Sequence, residues 1–156
     1  MSEPQPLTPP DCDLRRFPDM PLGVVRLRDS DFAASVSGEG FRAGVLLWAA
    51  SWHQVPAASL PDNDRVLASL AGFGRFLDKW QEVREEALDG FVKCSDGRLY
   101  HRIVAEVALG AWIERGLSTL LGAEGNLKRH GDSADRRAAI EEIGRASCRE
   151  RVSSPV

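Results

Sequence analysis

The stretch DNDRVLASLAGFGRFLDKWQEVREEALDGFVKCSDGRLYH, Asp62 to His101, decides how this chain folds. Val66, Leu67 and Leu70 lie on one face of a helix that starts at the Asp62–Asn63–Asp64 cluster and stops at Gly72. Carboxylates in a first turn are favoured by the helix dipole. After a Gly-Phe-Gly turn, Phe76, Trp80, Val83 and Ala87 recur at i, i+4, i+7 and i+11, which predicts a second helix from Phe76 to Leu88. Asp89 and Gly90 end it. Two β-prone runs, Phe91 to Cys94 and Arg98 to His101, then flank a Ser-Asp-Gly turn, the chemistry of a tight hairpin. Helix, short turn, helix and hairpin together predict an α+β, mainly α fold that is winged-helix-like, a helix-turn-helix with a β-hairpin wing.

Upstream, Phe41, Val45, Trp48 and Trp52 make another helical stripe, widened by Leu46, Leu47 and Ala50, so this helix is expected at the centre of the core and should end before Pro56. The PAASLP run that follows reads as a loop. Gly23 to Asp29 alternates like a short edge strand, and Ser30 to Gly38 like a capped helical turn. Pro4, Pro6, Pro9, Pro10, Pro18 and Pro21 make residues 1–21 a disordered, proline-rich arm. Downstream, Val104, Ala108, Ala111 and Trp112 predict a helix from Arg102 that fades near Gly122, closing a domain over residues 22–122 before a polar linker, 123–141. The segment EIGRASCRERV, Glu142 to Val152, resembles the translation of a sequencing-adapter strand, so residues 142–156 are expected to be an artefactual tail.

With 156 residues, 43% hydrophobic and 28% charged, the chain has the composition of one globular domain with modest tails. A net charge of -3 supplies no general attraction for a polyanion. Cys12, Cys94 and Cys148 form neither a disulfide framework nor a CxxC pair, which fits a reducing cytoplasm. The N-terminus has no signal-peptide pattern, and VLLWAA is too short an apolar run to span a bilayer.

Chemistry-bearing residues are sparse. A calcium loop starting at Asp62 fails because Val66 occupies a ligand position, and His53, His101 and His130 have no metal spacing, so neither metal nor cofactor is expected. Cys94, Asp96 and His101 would be the components of a hydrolase, a distant third reading, but a short hairpin separates them. GFG at Gly72 to Gly74 lacks the context of a dinucleotide loop. A non-enzymatic binding protein is the expectation. On the helix expected over Phe76 to Leu88, the side opposite the apolar stripe carries Asp78, Glu82, Glu85 and Glu86, which would repel phosphate and suit a basic protein partner. Basic groups stand at Arg75, Lys79 and Arg84 beside the stripe and at Lys93, Arg98 and Arg102 on or near the hairpin, and of these Arg75, Lys79, Lys93, Arg98 and Arg102 are the candidates for weak phosphate contact.

The blocks GFRAGVLLWAASWHQVPAASLPDNDRVLASLAGFG, VREEAL, GFVKCSDGRLYH and AEVALGAW resemble the bacterial and phage domain-of-unknown-function 1376 family, also called YdaU-like. The similarity covers roughly Phe17 to Trp112. It implies a small winged-helix-like fold and occurrence in prophage replication regions near helicase-loader genes. No catalytic residues come with it. Two functions are therefore expected to compete: a module of phage-type DNA replication with weak or indirect DNA contact, and a protein adaptor using the acidic helix face. The partner is DNA or a replication protein such as a helicase loader, with no membrane.

Overall fold

The structure, a computed structural model, describes residues 2–130, 138 and 140–145. The chain divides into two compact units, Met1–Trp112 and Ile113–Val156. In the first, the order is α1 (Val24–Arg28), α2 (Asp31–Ser35), α3 (Gly38–Trp52), β1 (Ser59–Pro61), α4 (Asp64–Leu70), α5 (Leu77–Ala87), β2 (Phe91–Lys93) and β3 (Arg98–His101). The last helix, α6 (Arg102–His130), begins in the first unit and continues into the second. The architecture is mixed α+β and mainly helical, with a small antiparallel sheet in the order β1-β3-β2.

Helix α3 forms because Ser37 caps it, its hydroxyl accepting from the Gly40 N–H at 3.0 Å, and because both of its sides find apolar partners. Trp48 and Trp52 join one core cluster with Phe32, Val104, Ala105 and Ala108. Ala43 and Leu47 join the other, with Leu60, Leu67, Trp80 and Ala87. Of the stripe read from the sequence, Phe41, Val45, Trp48 and Trp52 face the first cluster, while the flanking Leu47 and Ala50 face the second. At Gly44 a Cβ would lie 2.6 Å from the Phe32 ring and 3.3 Å from the Ala87 carbonyl, so only glycine lets α5 and α2 approach α3 this closely.

The expected hairpin is present, with Val92 opposite Tyr100 and Lys93 opposite Leu99. A third strand, β1, lies in the PAASLP run expected to be a loop, and pairs Leu60 with Leu99 and Pro61 with Arg98. Three residues flanked by prolines give no periodic signal, and Pro61 is tolerated because β1 is an edge strand. Gly23 to Asp29, expected as a strand, is instead the single helical turn α1; four alternating residues cannot distinguish the two periods, and only Leu27 packs against the core.

Two further expectations are corrected. The proline-rich segment has no helix or strand, yet it is docked: Cys12 and Leu14 are fully buried, the Thr8 hydroxyl donates to the Ala57 carbonyl at 2.7 Å, and Ser95 N–H donates to the Pro4 carbonyl at 2.9 Å. Prolines cannot donate, but their carbonyls accept, and their stiff backbone loses little entropy on ordering. Helix α6 does not fade at Gly122 but runs through residue 130, so the first part of the expected linker is helical. Residues 140–145 are also helical; the remainder of the expected linker and tail, residues 131–137, 139 and 146–156, lies outside the described residues.

Trp48 packs in tilted geometry against Phe32 at 5.0 Å and His101 at 4.8 Å between centroids, while its indole nitrogen is buried with no hydrogen-bond partner among the described residues. Trp48→Ala is therefore expected to lower the unfolding free energy in urea by roughly 3–5 kcal/mol. Trp48→Phe should cost distinctly less, since ring packing rather than the N–H is what contributes. Equal losses in the two variants would contradict this placement.

Candidate functional site

Polar side chains from α5 and the hairpin converge on the start of α4. Asn63 caps the helix, accepting from the Arg65 N–H at 3.0 Å and the Val66 N–H at 3.3 Å. That leaves its acidic neighbours free to reach other elements. Asp64 accepts from Trp80 Nε1 at 3.0 Å, Gln81 Nε2 at 3.0 Å and Arg84 Nε at 2.7 Å, all on α5. The indole and guanidinium hydrogen bonds hold its carboxyl below the ordinary carboxylate range. Asp62 lies 3.0 Å from Lys93 Nζ and 3.7 Å from Arg84, which ties the hairpin into the same network. Arg84, central here, reads from the sequence only as a basic group beside the apolar stripe and not as a partner of Asp64. The signal was its i, i+4 spacing from Trp80, which puts both on one face of α5.

The candidate phosphate-binding cations are dispersed by this geometry. Lys93 is paired with Asp62, and Lys79 with Glu82 at 3.1 Å. Arg98 turns along the sheet, donating to Ser59 Oγ at 2.8 Å and to Gln54 Oε1 at 3.4 Å. Arg75 and Arg102 are exposed, Arg75 lying over the Phe76 ring at 6.0 Å. The acidic face is also divided. Glu86 turns towards α3, where its carboxylate accepts from the Ser37 N–H and hydroxyl beside the helix N-terminus. Asp78, Glu82 and Glu85 are exposed.

Phe76, expected in the buried stripe of the helix over Phe76 to Leu88, instead occupies the N-cap of α5 with φ -82° and ψ 73°, outside helical geometry, and is 64% exposed. Beside it an open depression of about 470 Å³ is lined by Phe73, Phe76 and Val83 and rimmed by Glu39, Lys79 and Glu82. Arg42 lies over Phe73 at 5.1 Å and is paired with Glu39.

The components of a hydrolase are each engaged elsewhere. The Asp96 carboxylate accepts from the Tyr100 hydroxyl at 2.7 Å and the Arg98 N–H at 3.1 Å. Cys94 is buried, which raises its thiol pKa. His101 packs between Trp48 and Phe91, and its Nδ1 accepts from the Val104 N–H in the first turn of α6. His53 bonds the Phe17 carbonyl at 2.7 Å. Among the described residues, no group of three or more metal-ligating side chains occurs, and no helix is long and apolar enough to cross a membrane.

Residues 20–108 match the model of a family described as protein of unknown function (DUF1376). That is more than half of the chain, which therefore belongs to this family. No curated protein matches it, and no solved structure does.

Burial, aided by the nearby Arg26 guanidinium, pushes the His101 pKa down from 6.5 to about 4. The unfolded chain thus takes up this proton first: stability is full above pH 6.5, declines as the pH falls, and has lost about 3 kcal/mol from this group near pH 4. His101→Asn keeps an acceptor for the α6 N-terminus but removes the titration. It is expected to be less stable at pH 7 and to show a much flatter dependence between pH 6.5 and 4.5 in urea melts. A slope matching the parent's would contradict the assignment.

Proposed function

We propose that the chain is a non-enzymatic, winged-helix-like binding module that works by contacting a protein, in the setting of phage-type DNA replication that its resemblance implies. Support for the winged-helix-like reading comes from the order α3-β1-α4-α5-β2-β3 with sheet order β1-β3-β2, in which α4 and α5 form the helix pair and β2-β3 the wing. Helix α5 takes the place of a recognition helix. Across Leu77–Ala87 it carries Asp78, Glu82, Glu85 and Glu86 against Lys79 and Arg84, a balance unsuited to a phosphate-lined groove.

The observation that carries the protein-binding reading is the internal use of the cations. Lys93 and Arg98 are turned to Asp62 and the Ser59–Gln54 pair, while Lys79 makes only an exposed surface pair with Glu82. What α5 and its preceding turn offer outward is Phe76, Asp78, Glu82 and Glu85, beside the depression at Phe73. An exposed aromatic ring next to an apolar hollow, with the exposed carboxylates of Asp78 and Glu85 on the same helix, suits a partner bearing an apolar anchor and basic residues, and a helicase loader is the partner the resemblance suggests. Of the five cations the sequence offered for phosphate contact, Arg75 and Arg102 are the exposed arginines not drawn into an ion pair or a side-chain hydrogen bond above, and two such charges support only weak DNA contact.

Fluorescence anisotropy with labelled single- and double-stranded oligonucleotides at low salt separates the readings. The protein-binding reading predicts no saturable binding below about 10⁻⁴ M, the weak end of non-specific association. Tighter binding that falls steeply with salt, and whose salt slope shrinks by about one unit in Arg75→Ala or Arg102→Ala, would replace it with the DNA-binding reading.

A further inference from the structure

Residues 4–17 run without helix or strand past the end of α3, the chain before β1 and the turn of the hairpin. Their contacts are those of a bound peptide. The carbonyls of Pro4, Cys12 and Phe17 accept from the Ser95 N–H at 2.9 Å, the Ala57 N–H at 2.8 Å and the Trp52 indole N–H at 3.3 Å. The Thr8 hydroxyl donates to the Ala57 carbonyl, so both backbone groups of Ala57 are used by this one segment. Cys12 and Leu14, two residues apart, are fully buried and join the cluster of Trp52, Ala57 and Ala58, while Asp11, Arg15 and Arg16 beside them are exposed. Burial pushes the Cys12 thiol up to about 11, which keeps this anchor neutral. Main-chain hydrogen bonds combined with sockets for alternate side chains are how extended peptides are recognised.

We propose that this groove is a peptide-binding site whose occupant in cis is the segment 4–17, a strap that detaches as one piece and gives place to a partner segment of the same chemistry. That chemistry is two small or aliphatic anchors separated by one residue, set after a run of prolines. The groove residues Trp52, Ala57, Ala58 and Ser95 lie inside the span 20–108 that matches the family, and the strap lies before it. The strap adds no strand to the β1-β3-β2 sheet, so its release leaves those ladders and α3 intact. Release uncovers the indole edge of Trp52, which is 1% exposed when the strap is docked, and frees the N–H and carbonyl of Ala57, which then call for a new acceptor and donor. Pro4, Pro6, Pro9 and Pro10 keep the released strap near its bound shape, so little entropy is lost when it returns. The walls of this site are the end of α3, the chain before β1 and the hairpin turn, and the site therefore stands whatever binds at α5.

Two measurements on the full chain test this. In the parent, iodoacetamide should modify Cys12 about tenfold or more faster than global unfolding permits, with a much weaker dependence on urea, because local release exposes far less surface than unfolding does. Modification of Cys12 only through global unfolding overturns the proposal. In the second, a fluorescein-labelled peptide of residues 2–19 is titrated onto Leu14→Asp, a chain whose own strap cannot seat its anchor. The peptide should bind this variant about tenfold or more tightly than it binds the parent, where the tethered strap competes at high effective concentration. Unlabelled peptide of the natural sequence should displace it, and the same peptide carrying Leu14→Asp should not. A folded Leu14→Asp chain that does not take up the peptide, or a parent that binds it equally well, overturns the proposal. Loss of the fold in Leu14→Asp overturns it too, since the remainder of the unit must stand when the strap has left.

Discussion

The Asp64 carboxylate is the contact on which the first unit depends. It stands in the first turn of α4, where the helix dipole favours it, and accepts from three side chains spaced over one turn of α5. One of these is the indole N–H of Trp80, whose side chain is fully buried. Without Asp64 that donor would be left unsatisfied in the core, a loss of roughly 1–3 kcal/mol before any packing is disturbed. The pair α4–α5 is thus held by a polar clamp over an apolar contact of Leu67, Ala68 and Trp80. Packing of α5 on α3 through Ala87 and Gly44 then sets where the hairpin can start.

The same clamp decides what the surface can offer. Asp62 and Asp64 draw Arg84 and Lys93 towards α4, so two cations that a helix-turn-helix could have turned to phosphate are spent on holding the fold together. Glu86 is withdrawn from the acidic face in the same way, because its carboxylate serves the N-terminus of α3, and a side chain at Gly40 would collide with it. Charge read from a helical wheel therefore overstated both candidate surfaces. What remains outward on α5 is smaller and more mixed: an exposed aromatic ring, a few carboxylates and a shallow hollow.

The helices α3 and α5 were legible in the sequence because their apolar residues repeat over about two turns or more, α4 because a capping cluster and a glycine bracket its short apolar face, and the hairpin because its strands flank an Asp-Gly turn. The Asp62–Asn63–Asp64 cluster was legible as a helix start for the same local reason, though not that Asn63 is the residue that caps. Short elements were not. Strand β1 exists only because β3 offers an edge, and α1 only because Leu27 finds the core, so both depend on contacts with residues far along the chain. The docking of the proline-rich segment is likewise made by Thr8, Cys12 and Leu14 rather than by a periodic pattern. Within the candidate site, residue types predicted charge but not pairing: Lys93 and Asp62 lie 31 positions apart, and nothing local links them.

The account rests on Asp64 and Arg84 being a coupled pair and not two independent surface charges. Their side chains are 40% and 32% exposed, so solvent screens the ion pair in part, and the hydrogen bond between them carries much of the coupling. A double-mutant cycle of Asp64→Ala and Arg84→Ala, read by urea unfolding at neutral pH, measures it most directly. The structure predicts a coupling free energy of about 1 kcal/mol or more in favour of the pair. Additivity within about 0.3 kcal/mol would mean that the two groups do not act together, and would contradict a fold organised around Asp64.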